Sequence, residues 1–308
     1  MVFVLAKTYC ANSEPRVNLI TDFDPWHSRL CTCPPKLTFN PYTGCDHDCV
    51  YCYASSYIPR FFETRPKKDL AQKLAKEVAK LKGELVSIAN SSDPYPRREA
   101  ENGLTRQCLE ILTRHDCKIQ IITKSNQVLR DIDLLRRVPS TVAVTITTDD
   151  DELARRVEPH APSPSARLAA VKTLIQNGIL TSVRIDPIIP HVNDNPENLL
   201  ETLASIGIRH ITSSTYKVKP DNWQRLTTAL PETAEKLRTL YYDQGERIGG
   251  YICLAKSLRI RLMERVGTLA ARLGMRFGAC REGFTHLNTA ACDGSWLLHP
   301  AEVVNLEE

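Results

Sequence analysis

The sequence predicts an α/β fold, a parallel sheet covered by helices. Three observations carry this reading. Six short β-branched or apolar runs recur along the chain, and helical patterns separate most of them. Proline, glycine, serine and aspartate punctuate the boundaries where caps and turns are expected. The chain has 308 residues, 42% of them hydrophobic and 25% charged, so it can bury a sizeable core and lacks the composition of a disordered protein.

The strands are expected at Lys36 to Asn40, Leu85 to Ala89, Lys118 to Thr123, Thr141 to Thr147, Thr181 to Ile185 and Arg209 to Ser214. A helix from Asp69 to Lys82 puts Leu70, Leu74, Val78 and Leu81 on one face, with Asp69 as N-cap and Gly83 just past the end. A second helix, Pro164 to Gln176, has Ser163 to cap it, Pro164 at its first position and Gly178 near its end. Pro196 to Ile206 follows the same logic. Beyond Ser214 the pattern changes. Residues 231–275 read as two long helices broken at Gly249-Gly250, and 280–299 as a cysteine-containing tail. The expected division is an N-terminal extension over 1–35, a core over 36–215 and a C-terminal helical extension over 216–308.

No window approaches the roughly 18 apolar residues of a membrane span. The short run Val2 to Ala6 has no basic residues before it and does not read as a signal peptide. A cytoplasmic protein with no membrane partner is expected. The net charge of +4 is mild, compatible with a nucleic-acid partner and not diagnostic of one. Eleven cysteines, unevenly spaced, argue for reduced thiols with some binding metal rather than a disulfide framework.

The strongest signal follows the first strand: Cys45, Cys49 and Cys52 in C-x3-C-x2-C spacing, with Tyr51 just before the third. Three thiolates in eight residues can wrap one metal centre but leave a coordination position open, as a catalytic centre needs. Thiolates suit zinc or an iron–sulfur cluster. The bland alternative is a zinc knuckle completed by His47 or Cys33, in a zinc-stabilised nucleic-acid-binding protein. It lacks the paired C-x2-C units of common zinc modules.

This triplet after a first strand resembles the cluster motif of the radical S-adenosylmethionine (SAM) superfamily, and the layout resembles its spore photoproduct lyase-like branch. The resemblance covers about residues 30–215. It implies a partial (β/α)6 TIM-type barrel with a C-terminal helical extension. It also implies a [4Fe–4S] cluster on Cys45, Cys49 and Cys52, with S-adenosylmethionine on the fourth iron. A reduced cluster would then give a 5′-deoxyadenosyl radical that abstracts hydrogen from substrate. An electron donor such as flavodoxin or ferredoxin, and a DNA or RNA substrate, come with the resemblance; a peptide or small metabolite is the alternative substrate.

The same resemblance assigns cofactor contacts, and ligands of such sheets sit at the C-terminal ends of the strands. Tyr51 is placed near the adenine. Ser92 and Asp93, at the end of strand two, match the contact to the methionine ammonium. Lys124, at the end of strand three, suits the methionine carboxylate. Arg184, on strand five, matches a ribose or carboxylate contact, with an ion pair to Asp186 or Glu158 as the plain reading. Glu158 is a further candidate contact. Thr145, Thr147 and Thr148 could face ribose or substrate. Asp149, Asp150 and Asp151 read as a helix N-terminus rather than a metal site.

Cys31, Cys33, Cys280 and Cys292 form a second group. If the two ends of the chain meet at the opening of a partial barrel, these thiols could hold a second iron–sulfur cluster or a zinc. The photoproduct lyases use an extra cysteine as hydrogen donor after strand two; here residues 90–99 contain none, and Cys108 reads as core. The stretch from Glu235 to Glu282 carries ten basic and five acidic residues. Arg261, Arg265, Arg272 and Arg276 are expected on a similar helical face, able to meet phosphates or simply to be solvated.

Overall fold

The computed structural model describes residues 19–23, 28, 30–88 and 90–299. The run Val2 to Ala6 and Ala89 lie outside these residues. One eight-stranded sheet dominates: β1 (Thr21–Asp22), β2 (Leu37–Phe39), β3 (Leu85–Ile88), β4 (Lys118–Thr123), β5 (Ser140–Thr145), β6 (Leu180–Ile188), β7 (His210–Thr215) and β8 (Arg276–Ala279), paired in that order. β1 runs antiparallel to β2, and every other neighbour is parallel. The six expected strands are all present, so the α/β reading stands. No ladder joins β1 to β8 among the described residues, so backbone pairing leaves the sheet open rather than closing it as a barrel.

The helices lie between the strands because their apolar stripes need a sheet to cover. In α1 (Leu70–Glu77), Leu70 and Leu74 are buried, and Val78 continues the stripe in a 3-10 turn. Asp69 does not cap it: the residue is left-handed (φ 56°) and its side chain accepts no capping hydrogen bond. α2 (Leu104–Leu112) buries Cys108 in the core as expected. α3 (Pro164–Gln176) begins as its sequence dictates, with Ser163 Oγ accepting from Ala166 N at 3.2 Å. α4 (Glu197–Ile206) and α5 (Pro220–Ala229) follow. No helix among the described residues is long and apolar enough to cross a membrane.

The region after 230 departs from expectation. In place of two long helices there is a short helix (Ala234–Arg238), a hairpin of Glu246–Ile248 with Tyr251–Cys253, and one long helix, α6 (Lys256–Arg272). Gly249 and Gly250 both take positive φ and turn the hairpin rather than break a helix. α6 then delivers β8 alongside β7, so 276–279 belong to the sheet. Arg276 is therefore the first residue of a strand, off the helical face shared by the exposed Arg261, Arg265 and Arg272.

The tail folds back across the sheet's inward side chains. Lys36 pairs with Asp293, and Gln120 Nε2 donates to the Asp293 carbonyl at 3.0 Å. Thr212 Oγ1 donates to the Cys292 carbonyl at 2.7 Å, and Trp296 Nε1 donates to His210 Nδ1 at 2.9 Å. Gly278 makes this possible: a Cβ there would lie 2.3 Å from Cys292 Cα.

Candidate radical cofactor site

A cavity of about 480 Å³ opens among the C-terminal ends of β2 to β7. The cysteine loop forms one wall. Gly44 sets its entry: its φ is +81°, and a Cβ would meet Phe61 O at 2.3 Å. Cys45 N donates to the same carbonyl at 2.7 Å, so the loop is pinned at its first cysteine. Cys45, Cys49 and Cys52 all line the cavity, and none is in a disulfide. Burial pushes all three thiols up, Cys49 to about 12, so a metal bound there would have to supply the energy to deprotonate them. Three free thiols on one pinned loop, facing one cavity, fit a cluster that leaves one iron open.

Tyr51 lies on the same wall, its hydroxyl donating to Glu158. Glu158 is not among the cavity-lining residues; it is fully engaged behind Tyr51, accepting also from Thr147 Oγ1 at 2.8 Å and from Arg167. The expected direct contact is thus an anchor. Burial alone would push its carboxyl up, but Arg167 and Lys124 outweigh this and hold it at about 2. Lys124 lines the cavity with its ammonium 5.5 Å from the Tyr51 ring centroid. Burial works against its charge, yet Cys49 and Glu158 raise its pKa, so it is a cation at neutral pH.

Asp93 is held as a fixed acceptor: Thr123 Oγ1 donates to it at 2.6 Å, Lys124 N at 2.7 Å and Tyr95 N at 2.9 Å. Ser92 Oγ donates to Tyr42 O at 3.0 Å, which leaves its oxygen lone pairs as acceptors. Both line the cavity, as does Thr145. Thr148 instead accepts from Asp150 N at 3.1 Å, and Asp150 caps the helix Asp151–Val157, so the acidic run is a helix start as expected. Arg184 lines the cavity and pairs with Asp186, which also accepts from Ser214. The ion-pair reading of Arg184 is therefore met, with Asp186 as its partner.

Three residues escaped sequence reasoning as cavity residues. His47 is buried against Asp93 at 3.6 Å and is kept neutral by that burial. Its place inside the cysteine loop was the available signal. Lys217 and Arg281 line the cavity just beyond β7 and β8. Lys217 pairs with Glu282 at 2.9 Å, a contact 65 residues apart that no local pattern announces.

Of the second cysteine group, Cys33 and Cys292 touch at 3.5 Å between sulfurs. Among the described residues no group of three or more His, Cys, Asp or Glu side chains is gathered to hold a metal ion, and this includes the Cys45 trio.

Residues 39–203 match the sequence pattern of the family described as the Radical SAM superfamily. An uncharacterised protein of Mycobacterium tuberculosis is 31% identical over 261 residues, 78% of this chain and 75% of that one. The Radical SAM Nalpha-GlyT isomerase of Pseudomonas phage M6 is 23% identical over 294 residues, 91% of this chain and 60% of its own length. The solved structure of spore photoproduct lyase complexed with a dinucleoside spore photoproduct shares the fold, with a TM-score of 0.56, 18% identity, and coverage of 77% of this chain and 74% of that one. With more than half its length under the family's pattern and the cysteine loop on the wall of its central cavity, this chain is an enzyme of the radical SAM superfamily.

Proposed function

We propose that Cys45, Cys49 and Cys52 hold a [4Fe–4S] cluster and that the adjoining cavity takes S-adenosylmethionine. When bound, these groups supply reductive cleavage of the sulfonium to a 5′-deoxyadenosyl radical that removes hydrogen from substrate. The chain's own residues bind and orient. Lys124 and Arg184 offer cations to a carboxylate, and Asp93 with the Ser92 oxygen offers acceptors to an ammonium. Glu158 and Arg167 fix the Tyr51 ring that would flank the adenine. The single observation that carries this reading is the convergence of all three loop thiols, Asp93 and Lys124 on one cavity.

The proposed substrate is a nucleic acid, with a flavodoxin- or ferredoxin-type electron donor, in the cytoplasm where thiols stay reduced. The support is the fold shared with a lyase that binds a dinucleoside, and the exposed Arg261, Arg265 and Arg272 on α6. The test is an anaerobic assay for 5′-deoxyadenosine with dithionite. The reconstituted protein should form it, and Cys49→Ala should not. DNA or RNA should raise the yield; absence of 5′-deoxyadenosine from fully loaded native protein under all these conditions removes the reading.

A further inference from the structure

The Tyr57 ring lines the cavity and is still 40% exposed, which places it at the rim. It belongs to an aromatic group drawn from two distant parts of the chain. Tyr53, also in the cavity wall, lies 6.4 Å from Tyr57 between ring centroids, and Tyr251 meets Tyr53 edge-on at 5.8 Å. Tyr251 comes from the hairpin of Glu246–Ile248 with Tyr251–Cys253. Val218 and Ile252 exchange backbone hydrogen bonds of 2.9 and 3.1 Å, which dock that hairpin just past the end of β7. Gly245 closes its base, since a Cβ there would lie 2.5 Å from Cys253 O. Backbone pairing thus fixes where Tyr251 stands.

Cations are interleaved with the rings. The Arg281 guanidinium lies 5.1 Å from the Tyr53 centroid and 5.4 Å from that of Tyr251, and the Lys219 ammonium lies 4.4 Å from Tyr251. Arg247 is exposed on the same hairpin. The carboxylates on this side have basic partners: Asp186 holds Arg184, Glu282 holds Lys217 and Arg259, and Asp221 holds Arg225. A ligand suited to this rim carries a flat π face and negative charge together. A cationic ligand would be repelled, and an aliphatic one would leave the charges unanswered.

We propose that this rim binds an unpaired nucleotide of a nucleic-acid strand, its base stacked on Tyr57 and its phosphates against Lys219 and Arg247. The inference deepens the proposed function and rests on its nucleic-acid reading. Stacking accepts any base, because every base has a π face. A paired base is covered by its neighbours, so a duplex must release it before it reaches the rings or a cavity of about 480 Å³. A strand is favoured over a free nucleotide because Lys219 and Arg247 stand outside the cavity wall, where they serve neighbouring phosphates.

The test uses the iron-loaded full chain, anaerobic, without reductant and with saturating S-adenosylmethionine. Anisotropy reads the binding of fluorescein-labelled oligonucleotides: a single strand, its duplex and an abasic strand of the same length. The single strand should bind tightest. Tyr57→Ala should lower its affinity about 5- to 100-fold and leave abasic binding unchanged, while Tyr57→Phe keeps it. Lys219→Gln should weaken both strands and reduce the salt slope by about one. Iron content and thermal midpoint report the fold of each variant. A 2-aminopurine base in the strand should be quenched by the native protein, a readout that needs no variant. Equal affinity for the abasic strand, preference for duplex, or a Tyr57→Ala protein that binds like the native one would overturn the proposal. So would a nucleoside monophosphate that binds as tightly as the strand, or S-adenosylmethionine that displaces the strand. Failure of the radical chemistry is read separately. Native protein that forms no 5′-deoxyadenosine yet binds the strand in this pattern loses the reaction and keeps the rim; one that forms it and binds no strand keeps the reaction and loses the rim.

Discussion

The Lys124 ammonium lies 5.5 Å from the centroid of the Tyr51 ring, and the hydroxyl of that ring donates to Glu158. One aromatic side chain thus joins the cysteine loop, the end of β4 and a buried carboxylate. The proposed cofactor contacts are thereby coupled: the lysine has a fixed neighbour, and the ring has a fixed tilt.

Lys124→Met removes that cation without removing iron ligands. S-adenosylmethionine affinity should fall about 10- to 100-fold, the worth of a charge-assisted hydrogen bond of about 1.5–3 kcal/mol. Iron content should not change. Equilibrium binding to the reconstituted protein measures it, and native affinity in the variant would refute the carboxylate role.

Gly44→Ala keeps all three cysteines but adds a Cβ at φ +81°, 2.3 Å from the Phe61 carbonyl. The loop must shift. Iron retained per chain after reconstitution should drop well below the native value, with a lower thermal midpoint. Full iron loading would show that the pinned loop is not what positions the ligands.

Glu158→Gln leaves Arg167 buried without its anion. The expected loss is about 3–5 kcal/mol in unfolding free energy, read from urea midpoints at neutral pH. The native protein should show the linked effect in acid. The Glu158 carboxyl, held at about 2 against an ordinary 4.5, stabilises the fold fully above 4.5. That contribution, about 3 kcal/mol, fades as pH falls from 4.5 through 2. A native and a variant protein with parallel acid profiles would contradict this.

His210 gives a second, separate pH window. Burial lowers its pKa to about 4 from 6.5. Its Nδ1 accepts from Trp296, so the neutral ring carries its proton on Nε2. Below 6.5 the unfolded chain takes up a proton that the folded ring refuses, so stability should fall between pH 6.5 and 4 and level off beneath. His210→Gln should flatten that slope, whatever it does to absolute stability. An unchanged slope would place the proton elsewhere.

Arg261, Arg265 and Arg272 are exposed along α6, although Arg265 also reaches Asn195 at 2.6 Å. If they meet phosphates, binding of a single-stranded or duplex oligonucleotide should weaken steeply between about 50 and 200 mM salt. Charge removal at Arg261 and Arg272 should reduce the salt slope by about one for each phosphate that is no longer neutralised. Binding indifferent to salt would turn the search toward an uncharged substrate.

Much of the fold was legible because the signals are local. Short β-branched or apolar runs mark β3 to β7, and Ser163-Pro164 marks the start of α3 because cap and first turn need only adjacent residues. The trio spacing likewise compresses three thiols into eight residues. Asp69 misled because a capping residue type does not guarantee a capping backbone. Residues 231–275 misled because helical periodicity says nothing of a glycine pair that reverses the chain.

Sequence by itself determined the parallel α/β core and the three-thiol loop after its first long-range strand, since both are written in neighbouring residues. Tertiary structure alone decided that Arg276–Ala279 extends the sheet, that Glu158 braces Tyr51 rather than facing the cavity, and that Cys33 meets Cys292. Each of these depends on partners far along the chain, 259 residues away in the case of the two sulfurs. The physical reason is that burial and pairing energies act through space, and a chain encodes them only once its distant segments have packed.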